Sequence, residues 1–558
     1  MLEVAMRLVI IGGVAAGATA AARARRLDEN AEITILEKGP YVSFANCGLP
    51  YRISGDIQKR GHLILQTAEG FFARYRVNVM LNTEAIGIDR QNKNVRVRTK
   101  DGESEVPYDK LILAQGGSPI RPQIEGLDSP NVFNLWTIPD TDKIEAFIKE
   151  HAPKHAIVVG GGFIGLEAAE AFQKRGISTT IVELMNQLMP PADPEFGAQI
   201  AEALAEHGVD SITGKSVVRI DWNARTATLN DGSTLPADII LLAVGVRPNL
   251  ELAKQAGLEI GSSGGLVVDE FLRTSDPEIY AAGDMIEVIR KPDGAKVRIP
   301  LAGPANRQGR IAATNALGGS MTYSGALGTS VVKVMDYTFS MTGLSEKAAA
   351  AAKIDARAVT IHKAHHATYY PGYEDLSLKI VYRREDGKVL GAQAFGKEGV
   401  EKRIDVLAVA VYAGLTLQNV AELDLSYAPP YSSANDPMQM ASFAALNDMQ
   451  GFSKFVSAQE AIALIKQGSA KVLDVRTYVE YLNGHIKDSM HIPLDELRDR
   501  IEEIPDENLL IVSKAGFEGH LAYRQLSQHG RNAIRYITGG YMSLRLLKEA
   551  QNIIEEGE

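Results

Sequence analysis

Two stretches of this chain repeat one pattern, and the repetition limits the possible folds more than any other feature. Residues 7–27, RLVIIGGVAAGATAAARARRL, lead into EITILEKG (32–39). Residues 155–176, HAIVVGGGFIGLEAAEAFQKRG, lead into STTIVELM (178–185). Each is a β-branched apolar run, a glycine-rich turn, an alanine-rich helix and a second strand with a glutamate at its end. That order is a strand–helix–strand unit for a dinucleotide. The tight turn lets the backbone approach a pyrophosphate, which rests at the positive end of the helix. In the second copy Gly160, Gly162 and Gly165 fill the three glycine positions, and Glu183 lies about 20 residues on, where a ribose hydroxyl is held. No arginine immediately follows Glu183, which favours NADH and leaves NADPH possible. In the first copy Gly12, Gly13 and Gly17 form the turn, Val14 holds the middle glycine position and Glu37 ends the second strand. One such copy is a weak signal. Two in one chain point to two bound nucleotides.

Smaller pieces recur around these units. LILAQGGSPIRP (111–122) and LLAVGVRPN (241–249) are apolar strands running into Gly and Pro turns, and they read as crossings between two nucleotide domains. TSDPEIYAAGDMIEV (274–288) delivers Gly283 and Asp284 to a turn, where a carboxylate can accept a hydroxyl from a ribityl chain. An aspartate placed there for the turn alone is the plainer alternative. IPLAGPANRQGRIAATNAL (299–317) opens a helix near Ala302 whose N-terminus can face a flavin. The expected fold is therefore α/β, with two Rossmann-like domains: FAD over 1–122 and 247–324, NAD(P)H over 123–246. Residues 325–446 alternate as a separate α+β unit, 447–456 weaken into a linker, and 457–550 restart as a small α/β domain.

Composition excludes several functions. The formal net charge of -10 argues against a general nucleic-acid binder. No apolar run approaches the ~20 residues of a membrane helix. MLEVAMRLVIIGG lacks a basic start and a cleavage site, so it reads as a buried strand and not a signal peptide. Met6 is an alternative natural start, with residues 1–5 an added segment. No metal-ligand spacing stands out, and a cytoplasmic enzyme is the default. One cysteine, Cys47, permits no internal disulfide. A lone cysteine is ordinarily a small buried hydrophobe, yet this one sits in SFANCGLPY (43–51), a loop of Ser, Asn, Gly and Pro. Pro50 suits the first turn of a helix. A helix N-terminus beside Cys47 would lower its pKa.

Two nucleotide units, an Ala-Gly-Asp turn and a single cysteine in S-F-x-x-C resemble the pyridine nucleotide-disulfide oxidoreductases, in the branch with one active-site cysteine. SFANCGLPY, HATYYPG (366–372), KRIDV (402–406) and LSYAPPYSSAND (425–436) are similar to the coenzyme A-disulfide reductases. LDVR (473–476), EYLNGHI (480–486) and IPLDELRDR (492–500) look like a rhodanese domain. From residue 6 to about 545 the chain thus resembles the coenzyme A-disulfide reductase–rhodanese fusions, also described as NADH-dependent persulfide reductases. The resemblance implies a dimerisation domain over 325–446, a rhodanese-like domain over 457–550 and a homodimer. Val42 stands where two-cysteine members carry the other cysteine, so Cys47 would cycle between thiolate and a mixed disulfide, persulfide or sulfenic acid.

The resemblance also assigns residues. Arg23 and Arg26 match contacts to coenzyme A phosphates; a solvated helix face is the bland reading. Ser43 and Asn46 match residues near the pantetheine end. Tyr369 and Tyr427 match tyrosines that the partner subunit places beside the cysteine, with Tyr370 and Tyr431 as other occupants; interface packing is the ordinary alternative. The family's rhodanese loop runs C-x-x-G-x-R-G, and here it reads SKAGFEG (513–519), with Ser513 for the cysteine and Glu518 for the arginine. Sulfurtransferase activity is expected to be absent. A deliberate replacement at Ser513 and a naturally silent domain both fit, and Glu518 speaks for the second. Two other functions remain open at this point: an NADH peroxidase or oxidase using a cysteine sulfenic acid, and a flavoprotein redox sensor or scaffold with a silent rhodanese module.

Overall fold

The structure is a computed structural model describing residues 5–557; residues 1–4, most of the segment read as an N-terminal addition, lie outside that range. The chain divides into two units. One reaches Asn186 and resumes over Gly208–Gly328; the other holds Gln187–His207 and the chain from Thr329 on.

In the first unit both glycine turns sit where a parallel strand hands over to a helix. Arg7–Ile11 lies between Glu32–Leu36 and Lys110–Leu113, with Val77–Met80 and Ile279–Ala281 outside them, all parallel. Leu8, Ile10, Ile35 and Ile112 are fully buried, as strands covered on both faces must be. The helices Ala15–Leu27 and Ala302–Ala316 approach so closely that a Cβ on Gly309 would stand 2.2 Å from the Ala16 carbonyl oxygen. The buried Arg25 guanidinium donates to the carbonyls of Tyr75, Asp28, Glu29, Ala31 and Arg76, which closes the C-terminal end of the first helix. A second parallel sheet runs Val209–Thr213, Ser178–Glu183, His155–Val159, Ile239–Leu242, Val132–Asn134. The two crossings read from the sequence pair with each other, Gly117–Pro119 antiparallel to Val246–Pro248.

The second unit begins with an antiparallel sheet, Ser330–Val334, Tyr337–Gly343, Val389–Gly396, Asp375–Arg383, Ala356–Ala364. The helix Pro194–Glu206 belongs here, held by a buried ion cluster. The Lys379 ammonium lies 2.7 Å from Glu195 and from Glu346 and 3.2 Å from Asp193. Burial alone would push its pKa down; the three carboxylates overrule that and hold it well above the ordinary lysine value. The C-terminal part is a parallel sheet, Phe455–Val456, Ile534–Ile537, Leu509–Val512, Lys471–Asp474, Met490–His491, flanked by the helices Ala458–Lys466 and Phe517–Gln528. It docks on the antiparallel sheet through specific bonds. The Thr360 amide donates to Thr538 Oγ1 (2.9 Å), and the Thr538 hydroxyl donates to the Thr360 carbonyl (2.7 Å). Among the described residues no helix is long and apolar enough to cross a membrane.

His362 completes this docking, with Nδ1 2.8 Å from Ser377 Oγ and Nε2 2.8 Å from Ser543 Oγ. A neutral ring donates from one nitrogen and accepts at the other. Burial, with Arg545 adding to it, pushes its pKa down to about 4 from an ordinary 6.5. The folded state therefore refuses a proton that the unfolded state takes. The stabilisation is fully present above pH 6.5 and fades as pH falls towards 4. It amounts to about 3 kcal/mol at most. In a His362→Gln variant, which does not titrate, urea midpoints should lose less than wild type between pH 7 and pH 4.

Candidate active site

The cysteine loop is tied to the first glycine turn. The Ser43 amide donates to the Gly13 carbonyl (2.8 Å), and Val42 is buried beneath, so close that a Cβ on Gly13 would lie 2.7 Å from its Cγ2. Gly12 has φ +97° and faces the Ala114 carbonyl at a distance no side chain allows. Glu37 Oε2 accepts from the Gly13 amide (2.8 Å) and Oε1 from the Gly39 amide (2.7 Å). The second copy repeats the device: Glu183 accepts from the Gly161 and Met185 amides at 2.7 Å each. Gly160 has φ +108°, Gly165 stands against the Gly160 carbonyl, and Gly162 faces open space.

Cys47 lies in a single turn, Asn46–Gly48, and the Asn46 side-chain amide donates to the Trp136 carbonyl. The thiol is solvent-accessible but densely surrounded. Burial, then the charges of Glu167 and Asp284, push its pKa up. The net lowering expected from a helix N-terminus is not found: a backbone hydrogen bond does lower the value, but the other three causes outweigh it. The helix that follows, Leu49–Ser54, has six residues, too little dipole to outweigh burial and two carboxylates. Sequence reasoning also missed the partner of this loop. The Tyr51 phenol donates to Glu167 Oε1 (3.0 Å), on the helix Phe163–Lys174 that follows the second glycine turn. Burial pushes the Glu167 carboxyl up, and burial with Glu167 pushes the Tyr51 phenol up. A Glu167→Gln change removes one of the charges opposing the thiolate. The midpoint of Cys47 alkylation by iodoacetamide should then move to lower pH; an unmoved midpoint contradicts this electrostatic account.

Arg23 donates to Thr314 Oγ1 (3.1 Å). Its pKa is lowered by burial, then by Arg310 and Arg26, so three guanidiniums share one patch. Arg310 was not legible as a member of that patch. Gly283 has φ +86°, and its amide donates to Gln308 Oε1 (2.8 Å). Asp284 forms no side-chain hydrogen bond among the described residues, and burial pushes its carboxyl up. The helix at Ala302 starts without a side-chain cap, leaving its first amides available.

In the second unit the hydroxyls of Tyr369 and Tyr427 meet at 3.1 Å, and both side chains are exposed. Tyr370 instead packs edge-on against His366, and Tyr431 stands exposed outside this pair. Ser513 is 1% exposed, its Oγ accepting from the Gly516 amide (3.0 Å). Glu518 Oε2 is buried without a partner among the described residues.

Set against known proteins, residues 6–309 match the pyridine nucleotide-disulphide oxidoreductase family, 329–438 its dimerisation domain and 457–546 the rhodanese-like domain. The chain belongs to the pyridine nucleotide-disulphide oxidoreductases. Within that family it is similar to the crystal structure of reduced Bacillus anthracis CoADR-RHD, with a TM-score of 0.95, 41% identity and 99% of each chain covered. It is 35% identical to an NADH oxidase of Methanocaldococcus jannaschii, over 80% of this chain and 99% of the relative. It is 34% identical to an NAD(P)H coenzyme A polysulfide/persulfide reductase of Pyrococcus horikoshii, over 77% of this chain and 96% of the relative. Membership in this oxidoreductase family implies FAD and NAD(P)H. Both glycine cradles, the unpartnered Asp284 and the uncapped helix fit those groups.

Proposed function

We propose that this chain is an NADH-dependent reductase of coenzyme A persulfides, polysulfides or disulfides, with Cys47 as the sulfur acceptor. One observation carries the reading: the single accessible thiol is bonded through its loop to the first glycine turn and, through Tyr51 and Glu167, to the helix of the second. The names of the Bacillus anthracis and Pyrococcus horikoshii relatives support the substrate class.

FAD would be held by Gly12, Gly13, Glu37, Gly283, Asp284 and Ala302, and NADH by Gly160, Gly162, Gly165 and Glu183. Bound FAD supplies the two-electron relay between nicotinamide and sulfur. Coenzyme A phosphates would meet Arg23, Arg26 and Arg310, with Ser43 and Asn46 near its thiol end. The Cys47 thiolate attacks one sulfur of CoA-S-SH, the S–S bond breaks, and the other sulfur leaves as a thiolate or hydrosulfide. Two electrons from NADH and a proton then cleave the new S–S bond on Cys47. The sum is CoA-S-SH + NADH + H⁺ → CoA-SH + H₂S + NAD⁺. In a homodimer, Tyr369 and Tyr427 of the partner would donate the proton that the leaving sulfur needs. With Ser513 in place of cysteine, the rhodanese-like domain carries no persulfide.

Steady-state NADH consumption with coenzyme A persulfide, coenzyme A disulfide and hydrogen peroxide tests the reading. Sulfur substrates should lead. Peroxide ahead by orders of magnitude would overturn it in favour of a sulfenic acid cycle, the second reading that the Methanocaldococcus jannaschii relative's name favours.

A further inference from the structure

A cavity of about 460 Å³ opens in the second unit, lined both by the tyrosine pair and by the serine-bearing loop. The volume falls within the range of small-molecule sites, roughly 300–1,000 Å³, and towards its lower end. Tyr369 and Tyr427 line it from the antiparallel-sheet part of the unit, and Lys514, next to Ser513, from the C-terminal part. Lys363 and Asp375 also line it. Among the described residues neither Lys363 nor Asp375 forms an ion pair, and Lys514 reaches Glu480 only at a long 3.6 Å. Unpaired charges of both signs around one cavity suit a ligand that carries both. Ser513 cannot take part, since it is buried and its oxygen is bonded to Gly516.

We infer that this cavity binds, without forming a bond, a zwitterionic thiol of amino-acid to short-peptide size. Its carboxylates meet Lys363 and Lys514, its ammonium meets Asp375, and its sulfur lies towards the hydroxyls of Tyr369 and Tyr427. The consequence for turnover rests on the proposed function. If the tyrosines flank the partner's reacting sulfur, the cavity receives the half of a mixed disulfide that is not coenzyme A: CoA-S-S-R + NADH + H⁺ → CoA-SH + RSH + NAD⁺.

Calorimetric titration of the FAD-loaded full-length protein with reduced glutathione reads the site directly and needs no turnover. Saturable binding is expected, with 2-mercaptoethanol silent under the same conditions. A Lys363→Glu/Lys514→Glu variant should weaken glutathione binding by about tenfold or more. The milder Lys363→Gln/Lys514→Gln pair serves if the charge-reversed protein melts early. A flat titration, or equal binding by wild type and variant, overturns the inference. If glutathione binds in this lysine-dependent way while no coenzyme A disulfide or persulfide is reduced, the proposed function falls and the cavity stands. If turnover is as proposed and the titration is flat, the cavity falls alone.

Discussion

Replacing Cys47 with serine lowers kcat/KM for coenzyme A persulfide by about 10⁴-fold or more, in the range seen when an enzyme loses its nucleophile. Reduction of bound flavin by NADH in a single turnover should survive unchanged. The two results belong together. The hydroxyl is nearly the size of the thiol and sits at an exposed position, so the loop has no reason to refold. A serine hydroxyl, however, ionises far above neutral pH and is a poor attacker of sulfur, while a thiolate is a good one. No other cysteine exists to take over. Stopped-flow absorbance of the flavin and steady-state NADH consumption separate the two half-reactions. Flavin that no longer bleaches would show that the substitution had damaged the nucleotide sites.

A Lys379→Met variant loses about 3–5 kcal/mol of stability, the penalty for removing one partner of a buried charge cluster. Methionine fills most of the space but leaves Asp193, Glu195 and Glu346 facing one another without their cation. The Gln393 side chain and the amides of Glu346 and Lys347 remain on Asp193 and cannot neutralise three charges. The pH dependence has a definite sign. Despite burial, Lys379 and its other partners hold the Asp193 carboxyl below its ordinary value. Its contribution is therefore present at neutral pH and lost as pH falls through that lowered value. The lysine's own raised pKa makes its share persist to high pH. The variant's deficit should thus be large near pH 7 and shrink on acidification, as the orphaned carboxylates take up protons. Urea unfolding of both proteins at neutral and acid pH checks this, and adding Glu195→Gln should recover part of the loss.

What could be read from the sequence was local. The glycine turns, Glu37 and Glu183 follow from spacing along one strand–helix–strand unit, and the structure shows both carboxylates on the amides of their own turns. The two crossing strands were legible as crossings, since each ends in Gly and Pro after an apolar run. What failed depended on distance in the chain. The raised Cys47 pKa comes from burial and from carboxylates over a hundred residues away, which outweigh a six-residue helix. Tyr51 stood in the quoted loop, but its partner Glu167 is 116 residues on. Arg23, Arg25 and Arg26 share one helix, and only the fold shows that Arg25 turns inward to carbonyls. Hydropathy places Lys379 on the surface, whereas the structure buries it completely. Family resemblance singled out Tyr369 and Tyr427 as neighbours of a cysteine, but nothing in their separation of 58 residues announces that their hydroxyls meet.

The most direct measurement is the mass of the Cys47 peptide after the FAD-loaded protein meets coenzyme A persulfide or disulfide without NADH. An added sulfur atom or a coenzyme A moiety is expected on that cysteine, removed when NADH is supplied. A Cys47 that stays unmodified while the protein still turns over the same substrate would contradict it.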